Sequence, residues 1–239
     1  MGNGQTSVAA GRRAPSVMAV IHYRDDETAM RNADLARRYG CAGVFLIEMD
    51  GRDWKVDPVC LAIKSAWPDL LVGANRLSAM PWEAVATDAA LGLDASWVDN
   101  PGASSAGPGP YADRVEVALE AARATNPDFR FFGSVAFKTQ PREDDPGAAA
   151  LVAASRGWIA TTSGPATGVP PEPAKLAAMR ASVGDAPLAV ASGIDPDNVA
   201  DLGGYVDWIL VSTGVSRDFH EFDPERLSLL VGRAAPGAQ

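Results

Sequence analysis

The sequence predicts a single (β/α)8 barrel over residues 15–232, and three observations carry that prediction. Eight apolar runs rich in β-branched or aromatic residues recur along the 239 residues, at 17–21, 44–47, 70–74, 95–98, 129–135, 158–161, 188–191 and 208–211. Segments with helical periodicity separate these runs, and polar side chains follow each of them. Buried strands that alternate with amphipathic helices mark parallel βαβ units, and eight such units close into a barrel of about this length. A doubly wound open sheet is the main competitor, but its Gly-x-Gly-x-x-Gly turn is missing after the first strand, where Ile21-His22-Tyr23-Arg24-Asp25 stands instead.

Taken in order, the first run ends at His22, and Asp25 and Asp26 are acidic caps for a helix whose apolar stripe is Ala29, Ala33 and Ala36. The second run is followed by Glu48 and Asp50, the third by Asn75 and Arg76, and the fourth by Asp99 and Asn100. A Gly/Pro/Ser-rich piece at 101–110 then interrupts the alternation. It is expected to be a long mobile loop on the strand C-terminal face, suited to a lid or equally to a bland surface insertion. After the fifth run come Lys138 and the charged stretch 142–146, a solvated helix approach with Asp145 as N-cap and Pro146 in the first turn. The sixth run opens a hydroxyl- and glycine-rich loop, Thr161-Thr162-Ser163-Gly164-Pro165-Ala166-Thr167-Gly168, and Leu176, Met179 and Val183 lead to a helix end at Gly184. The last two runs each stop in a Ser/Thr-Gly turn, Ser192-Gly193 and Ser212-Thr213-Gly214, with a helix start expected at Pro196.

Composition sets the surroundings. Hydrophobic residues make up 47% of the chain and charged residues 21%, ample for one core, and no run has the length needed to cross a bilayer. Residues 1–14 hold Gly2, Gly4, Gly11, Arg12 and Arg13 but no apolar stretch, and read as a disordered leader. Residues 233–239 read as a flexible tail, and the expected location is cytoplasmic. A net charge of −9 argues against a nucleic-acid backbone as partner. Cys41 and Cys60 are expected as small buried hydrophobes, and with His22 and His220 they form no recognisable zinc spacing. No cofactor is predicted, although an oxygen-ligated Mg2+ and a homo-oligomer are both compatible with the composition. Trp54, Trp67, Trp82 and Trp158 are expected to serve packing.

Chemistry in such a barrel sits where the strands end. His22, Glu48, Asp99 and Lys138 are therefore the candidate catalytic residues. Desolvation of Glu48 over the barrel would suit it to acid/base work, with an ion pair to Lys138 or Arg76 as the structural alternative. His22 titrates near neutrality, Asp99 offers a base or a stabiliser of developing positive charge, and Lys138 offers charge for an anion. Ser163, Gly164, Ser192, Gly193, Ser212, Thr213, Gly214, Asn75 and Arg76 are the candidate substrate and phosphate ligands. Backbone N–H groups in neighbouring glycine turns, with a helix start beside them, suit an anion.

Phe132-Gly133-Ser134-Val135-Ala136-Phe137-Lys138, Ser163-Gly164-Pro165-Ala166-Thr167-Gly168, Ala191-Ser192-Gly193-Ile194-Asp195-Pro196-Asp197-Asn198-Val199, Val211-Ser212-Thr213-Gly214 and Asp223-Pro224-Glu225-Arg226 resemble the BtpA/SgcQ family of TIM-barrel proteins. Val20-Ile21-His22, Gly73-Ala74-Asn75-Arg76-Leu77 and Val98-Asp99-Asn100 are weaker matches. The chain departs from the family after the first strand, where Tyr23-Arg24-Asp25-Asp26 replaces the usual Pro-Leu-Pro-Gly, and at Asp99, where a valine is usual. The resemblance implies a barrel of the ribulose-phosphate-binding kind. The expected function is an enzyme acting on a phosphorylated pentose or nucleotide-like small molecule, by glycosidic or phosphoribosyl transfer or by isomerisation. The alternative is a non-catalytic assembly or regulatory protein that keeps a ligand-binding barrel.

Overall fold

In a computed structural model that describes residues 13–234, eight parallel strands close into a barrel, each followed by a helix. The order is β1 (Ser16–His22), α1 (Asp26–Arg38), β2 (Gly43–Ile47), α2 (Asp57–Ala66), β3 (Leu71–Asn75), α3 (Pro81–Ala90), β4 (Ala95–Val98) and α4 (Ala112–Thr125). It continues with β5 (Arg130–Ser134), α5 (Pro146–Ser155), β6 (Ile159–Thr162), α6 (Pro173–Val183), β7 (Leu188–Ala191), α7 (Val199–Gly203), β8 (Trp208–Val211) and α8 (Pro224–Ala234). Closure runs through β1, which pairs with β8 from Ser16↔Trp208 to Ala19↔Val211 and with β2 from Met18↔Gly43 to His22↔Ile47. The eight apolar runs all became strands, with ends within two residues of those expected.

Alternation along each strand divides the core into two shells. Met18, Val20, Phe45, Ile47, Trp97, Phe132 and Leu210 fill the inside of the barrel. Val44, Leu46, Val72 and Ala74 face the other way, against helix residues such as Ala29, Ala33, Ile63 and Val85. Phe45 packs edge-on against Trp97 (5.8 Å between ring centroids) and Phe132 (5.1 Å). Gly73 makes room for that ring, since a Cβ there would lie 2.4 Å from Phe45 Cε1 and 2.7 Å from the Ala95 carbonyl oxygen. The helix signals also hold. Asp25 caps α1 by accepting the Thr28 N–H at 2.7 Å, and Asp145 caps α5 by accepting that of Ala148 at 2.9 Å.

Four expectations need correction. Helix α7 begins at Val199, not at Pro196, because Asp195 and Asn198 form a turn of their own. Asp195 Oδ1 accepts the N–H groups of Asp197 (2.8 Å) and Asn198 (3.1 Å), and Asn198 Oδ1 accepts that of Asp195 (3.0 Å). The 101–110 segment is a tied structure: Ala103–Ser104 pairs antiparallel with Gly107–Pro108, the Gly109 N–H donates to Gly102 (2.7 Å), and Ser105 donates to Glu143 through both its N–H and its hydroxyl. Helix α8 runs to Ala234, two residues into the expected tail; residues 235–239 and 1–12 of the expected tail and leader lie outside the described residues. Trp54 is 67% exposed and so does not pack, whereas Trp158 is buried and Trp67 and Trp82 lie under Arg37 and Arg114.

Cys41 and Cys60 are both buried and free, and burial pushes the Cys41 thiol up to about 12, so neither offers a thiolate near neutrality. Among the described residues no helix is long and apolar enough to cross a membrane.

Candidate functional site

A cavity of about 320 Å³ opens where the strands end. It lies at the lower end of the range for small-molecule sites. Strand alternation places three of its polar groups, since His22 continues the inward set Met18, Val20, Asn75 follows Gly73 and Asp99 follows Trp97, whereas Lys138 and Ser212 come from the loops after β5 and β8. His22, Asn75, Asp99, Lys138, Ser192, Gly193, Ser212, Thr213 and Gly214 all line the cavity, so nine of the thirteen sequence candidates meet in one place.

The other four do not line it, and the reasons are specific. Glu48 comes one residue after the inward Ile47 and therefore turns outward. Its Oε2 accepts the N–H groups of Asp50 (2.9 Å) and Arg52 (2.7 Å), and Arg52 Nε stands 3.6 Å from Oε1, so the carboxylate staples its own loop rather than pairing with Lys138 or Arg76. Arg76 follows inward Asn75 in the same way. Its buried guanidinium pairs with Asp88 at 2.7 Å and Asp57 at 2.8 Å, beneath α2 and α3. Ser163 accepts the Lys138 N–H (2.9 Å) and donates to the Gly164 carbonyl (2.9 Å). A Cβ on Gly164 would lie 1.9 Å from the Val169 carbonyl oxygen, so this glycine permits loop packing instead of ligand approach. No residue of the 101–110 segment lines the cavity.

On one side of the cavity lie the turns after β7 and β8. Ser192 (φ 71°) and Gly193 (φ 72°) are successive left-handed residues, and Ser192 and Ala136 are the two non-glycine residues with positive φ among those described. Backbone held in this region stores strain that the surroundings must over-determine, a pattern found at ligand clamps. A Cβ on Gly193 would lie 2.2 Å from Pro170 N, and one on Gly214 would lie 1.9 Å from the Ile194 carbonyl oxygen. Backbone therefore packs on backbone here, as only glycine allows. Among the described residues no protein acceptor takes the N–H of Gly193, Ile194, Thr213 or Gly214. Backbone N–H groups without a protein acceptor, on residues that line a cavity, are donors left available to a ligand.

The ionisable groups line the same cavity. Asp99 Oδ1 accepts from Asn75 Nδ2 at 3.0 Å, and Thr139 Oγ1 lies 3.4 Å from Oδ2. Burial raises the Asp99 carboxyl above the usual range, opposed by Asn75, Lys138 and Thr139. Burial likewise lowers Lys138, with Asp99 opposing, and the ammonium donates to Thr167 Oγ1 at 3.1 Å. His22 Nδ1 is 3.1 Å from the Phe219 carbonyl oxygen and 3.2 Å from Ser212 Oγ. A carbonyl only accepts, so Nδ1 carries the hydrogen in that contact and the neutral ring keeps its lone pair on Nε2. Burial lowers the imidazole below 6.5, opposed by the Phe219 carbonyl, while His220 and Lys138 lower it further.

Several site residues escaped the sequence reading. Thr139, Thr167 and Phe219 line the cavity from loops, and Lys175 supports it from α6. The Lys175 ammonium donates to the carbonyls of Ala136 (2.6 Å) and Ser163 (2.7 Å), tying the loops after β5 and β6 together, and burial brings its pKa down to about 8. No local sequence signal marks this lysine, because its partners are main-chain atoms more than ten residues away. His220 does not line the cavity; its Nδ1 lies 3.0 Å from the His22 carbonyl oxygen. Among the described residues no group of three or more His, Cys, Asp or Glu side chains is placed to hold a metal ion.

No protein-family model matches the chain, and no curated protein does, so the BtpA/SgcQ resemblance rests on its motifs alone. Solved structures do match. A phosphoribosyl anthranilate isomerase from Thermus thermophilus aligns with 91% of this chain and 97% of its own, at 16% identity and TM-score 0.63. A phosphoribosyl anthranilate isomerase in complex with reduced 1-(o-carboxyphenylamino)-1-deoxyribulose 5-phosphate aligns over 92% and 98%, at 12% identity and TM-score 0.65. KGPDC from Streptococcus mutans, in complex with a phosphorylated ligand, aligns over 93% and 98%, at 12% identity and TM-score 0.67. At these identities the likeness is one of fold.

Two measurements check this geometry. Arg76→Met leaves the buried Asp88 and the half-buried Asp57 without their cation, so urea unfolding should show a loss of about 3–5 kcal/mol; a loss below about 1 kcal/mol would mean the guanidinium is not the keystone of that cluster. In a His220→Gln variant the remaining imidazole, followed by its NMR shift, should titrate below 6.5 because burial persists. By linkage, His22 then costs stability as pH falls from 6.5 through its lowered folded value. A midpoint at or above 6.5 contradicts this.

Proposed function

We propose that this chain binds a phosphorylated small molecule, with the phosphate held between the turns after β7 and β8, and acts as an enzyme on a phosphorylated pentose or nucleotide-like compound. The observation that carries the reading is the set of four backbone N–H groups, on Gly193, Ile194, Thr213 and Gly214, that meet no protein acceptor at the wall of a cavity. Lys138 and neutral His22 add donors without adding negative charge. The ligands of two of the structural neighbours, both phosphorylated and one of them a deoxyribulose 5-phosphate derivative, support the same ligand class. The motif resemblance to the BtpA/SgcQ family belongs to this proposal.

On this reading Asp99 is the proton-transfer group. Its raised pKa brings the carboxyl closer to the range where it exchanges protons near neutrality, and Asn75 holds one oxygen at 3.0 Å while Thr139 stands 3.4 Å from the other. Lys138, close enough to Asp99 to oppose its shift, balances the charge that changes there and steadies an oxyanion. His22 Nε2 offers the second acid/base position on the β1 side. An acid and a base on opposite sides of a sugar suit isomerisation, and a carboxylate beside a developing oxocarbenium ion suits glycosidic or phosphoribosyl transfer.

In phosphate-free buffer, ribose 5-phosphate at a hundred times its Kd should stabilise the fold by about 2.7 kcal/mol, on the order of 5–10 °C in melting temperature. Thr213→Asp places a carboxylate beside these N–H groups and should abolish the shift. Asp99→Asn should keep the shift while cutting turnover of the substrate by about 10²-fold or more. A shift with no turnover of any phosphorylated pentose or nucleotide returns the chain to the non-catalytic, ligand-binding alternative. No shift with any phosphorylated compound would falsify the anion site itself.

A further inference from the structure

Part of the cavity rim is apolar, and it is open. Phe219, Met49 and Leu77 all line the cavity yet remain 45%, 50% and 42% exposed. Deeper in, Ile47, Trp97 and Phe137 continue the same surface. Large apolar side chains left in water at a cavity mouth gain free energy when a ligand covers them. A bare polyol would gain little there, since its hydroxyls would lose water against carbon. Polar side chains that could answer hydroxyls line other parts of the cavity, Asn75, Asp99 and Thr139 after β3 to β5 and His22 and Ser212 on the β8 side, whereas Met49 and Leu77 offer only apolar surface.

Phe219 is held with unusual care for an exposed side chain. Its ring lies flat on His22, with centroids 4.1 Å apart and planes within 1°. The loop that carries it is closed by the Arg217 N–H donating to the Glu221 carbonyl (3.0 Å), by the Arg217–Glu221 ion pair, and by Asp218 Oδ1 accepting the N–H groups of His220 (2.8 Å) and Glu221 (2.9 Å). Asn32 of α1 clamps it from outside, donating to the His220 carbonyl (2.7 Å) and accepting the Phe222 N–H (3.1 Å), while Arg24 and Arg31 pair with Glu221. A loop fixed at this many points presents its aromatic ring as a preformed surface and loses little entropy when a ligand covers it.

From this arrangement we infer that the ligand is a phosphate monoester carrying a flat aromatic group, with the phosphate between the turns after β7 and β8 and the ring against the Phe219, Met49 and Leu77 surface. The inference rests on the anion reading above and narrows it from sugar phosphates in general to aryl-bearing ones. Phe219 is then a specificity-determining residue: it selects the far end of the ligand and takes no part in proton transfer.

Calorimetric titration of the intact chain with inorganic phosphate, ribose 5-phosphate and 3-phenylpropyl phosphate tests it. The aryl phosphate should bind about tenfold or more tightly than ribose 5-phosphate, and inorganic phosphate should compete with both. Phe219→Ser should lower that preference about tenfold, and Leu77→Asn, on a different loop, should lower it in the same direction should the first variant fold poorly. Equal or weaker binding of the aryl phosphate, or a preference unchanged in both variants, overturns the inference while leaving the anion site standing. Failure of all three compounds to bind overturns the anion reading and this inference with it.

Discussion

Contact of main chain on main chain at Gly193 and Gly214 is the constraint on which the upper end of this barrel depends. Each glycine sits where a single added carbon would fall within about 2 Å of a neighbouring backbone atom, Pro170 N in one case and the Ile194 carbonyl oxygen in the other. The loops after β6, β7 and β8 are thereby stacked against one another in sequence. Their N–H groups cannot all find partners inside so tight a stack, and those of Gly193, Ile194, Thr213 and Gly214 are left for something else. The left-handed conformation of Ser192 belongs to the same construction.

The ionisable groups reach the same cavity from strand ends and one loop. Inward positions on β1 and β3, the residue after β4 and the loop after β5 bring His22, Asn75, Asp99 and Lys138 there, and burial moves three of them away from their ordinary pKa values, His22 and Lys138 downward and Asp99 upward. All three shifts favour the neutral form. The cavity so formed is short of fixed charge and rich in donors, which suits an anionic headgroup beside exchangeable protons.

Much of this could be read from the sequence, for physical reasons. Strands buried on both faces are short apolar runs, and all eight were visible; so were the Asp25 and Asp145 caps, because a cap and its helix are neighbours in the chain. The two carboxylate and guanidinium assignments that failed, Glu48 and Arg76, each lie one residue beyond an inward strand residue. The strict alternation of Phe45, Ile47 and of Gly73, Asn75 already turns them toward the helices, so parity could have excluded both. The expected helix start at Pro196 failed for a local reason, the turn that Asp195 and Asn198 make between themselves. Lys175 and Phe219 are different: one acts on carbonyls of distant loops, and the other is positioned by Asn32 and two arginines of another element. Nothing near either residue in the chain announces those partners.

The central claim is that the turns leaving β7 and β8 cradle an anion. Soaking a crystal of the chain with tungstate, a heavy-atom mimic of phosphate, and measuring the anomalous difference density tests it most directly. The account predicts a peak within hydrogen-bonding distance of the Gly193, Ile194, Thr213 and Gly214 nitrogens. Peaks confined to other parts of the surface, with that pocket empty at saturating tungstate, would contradict it.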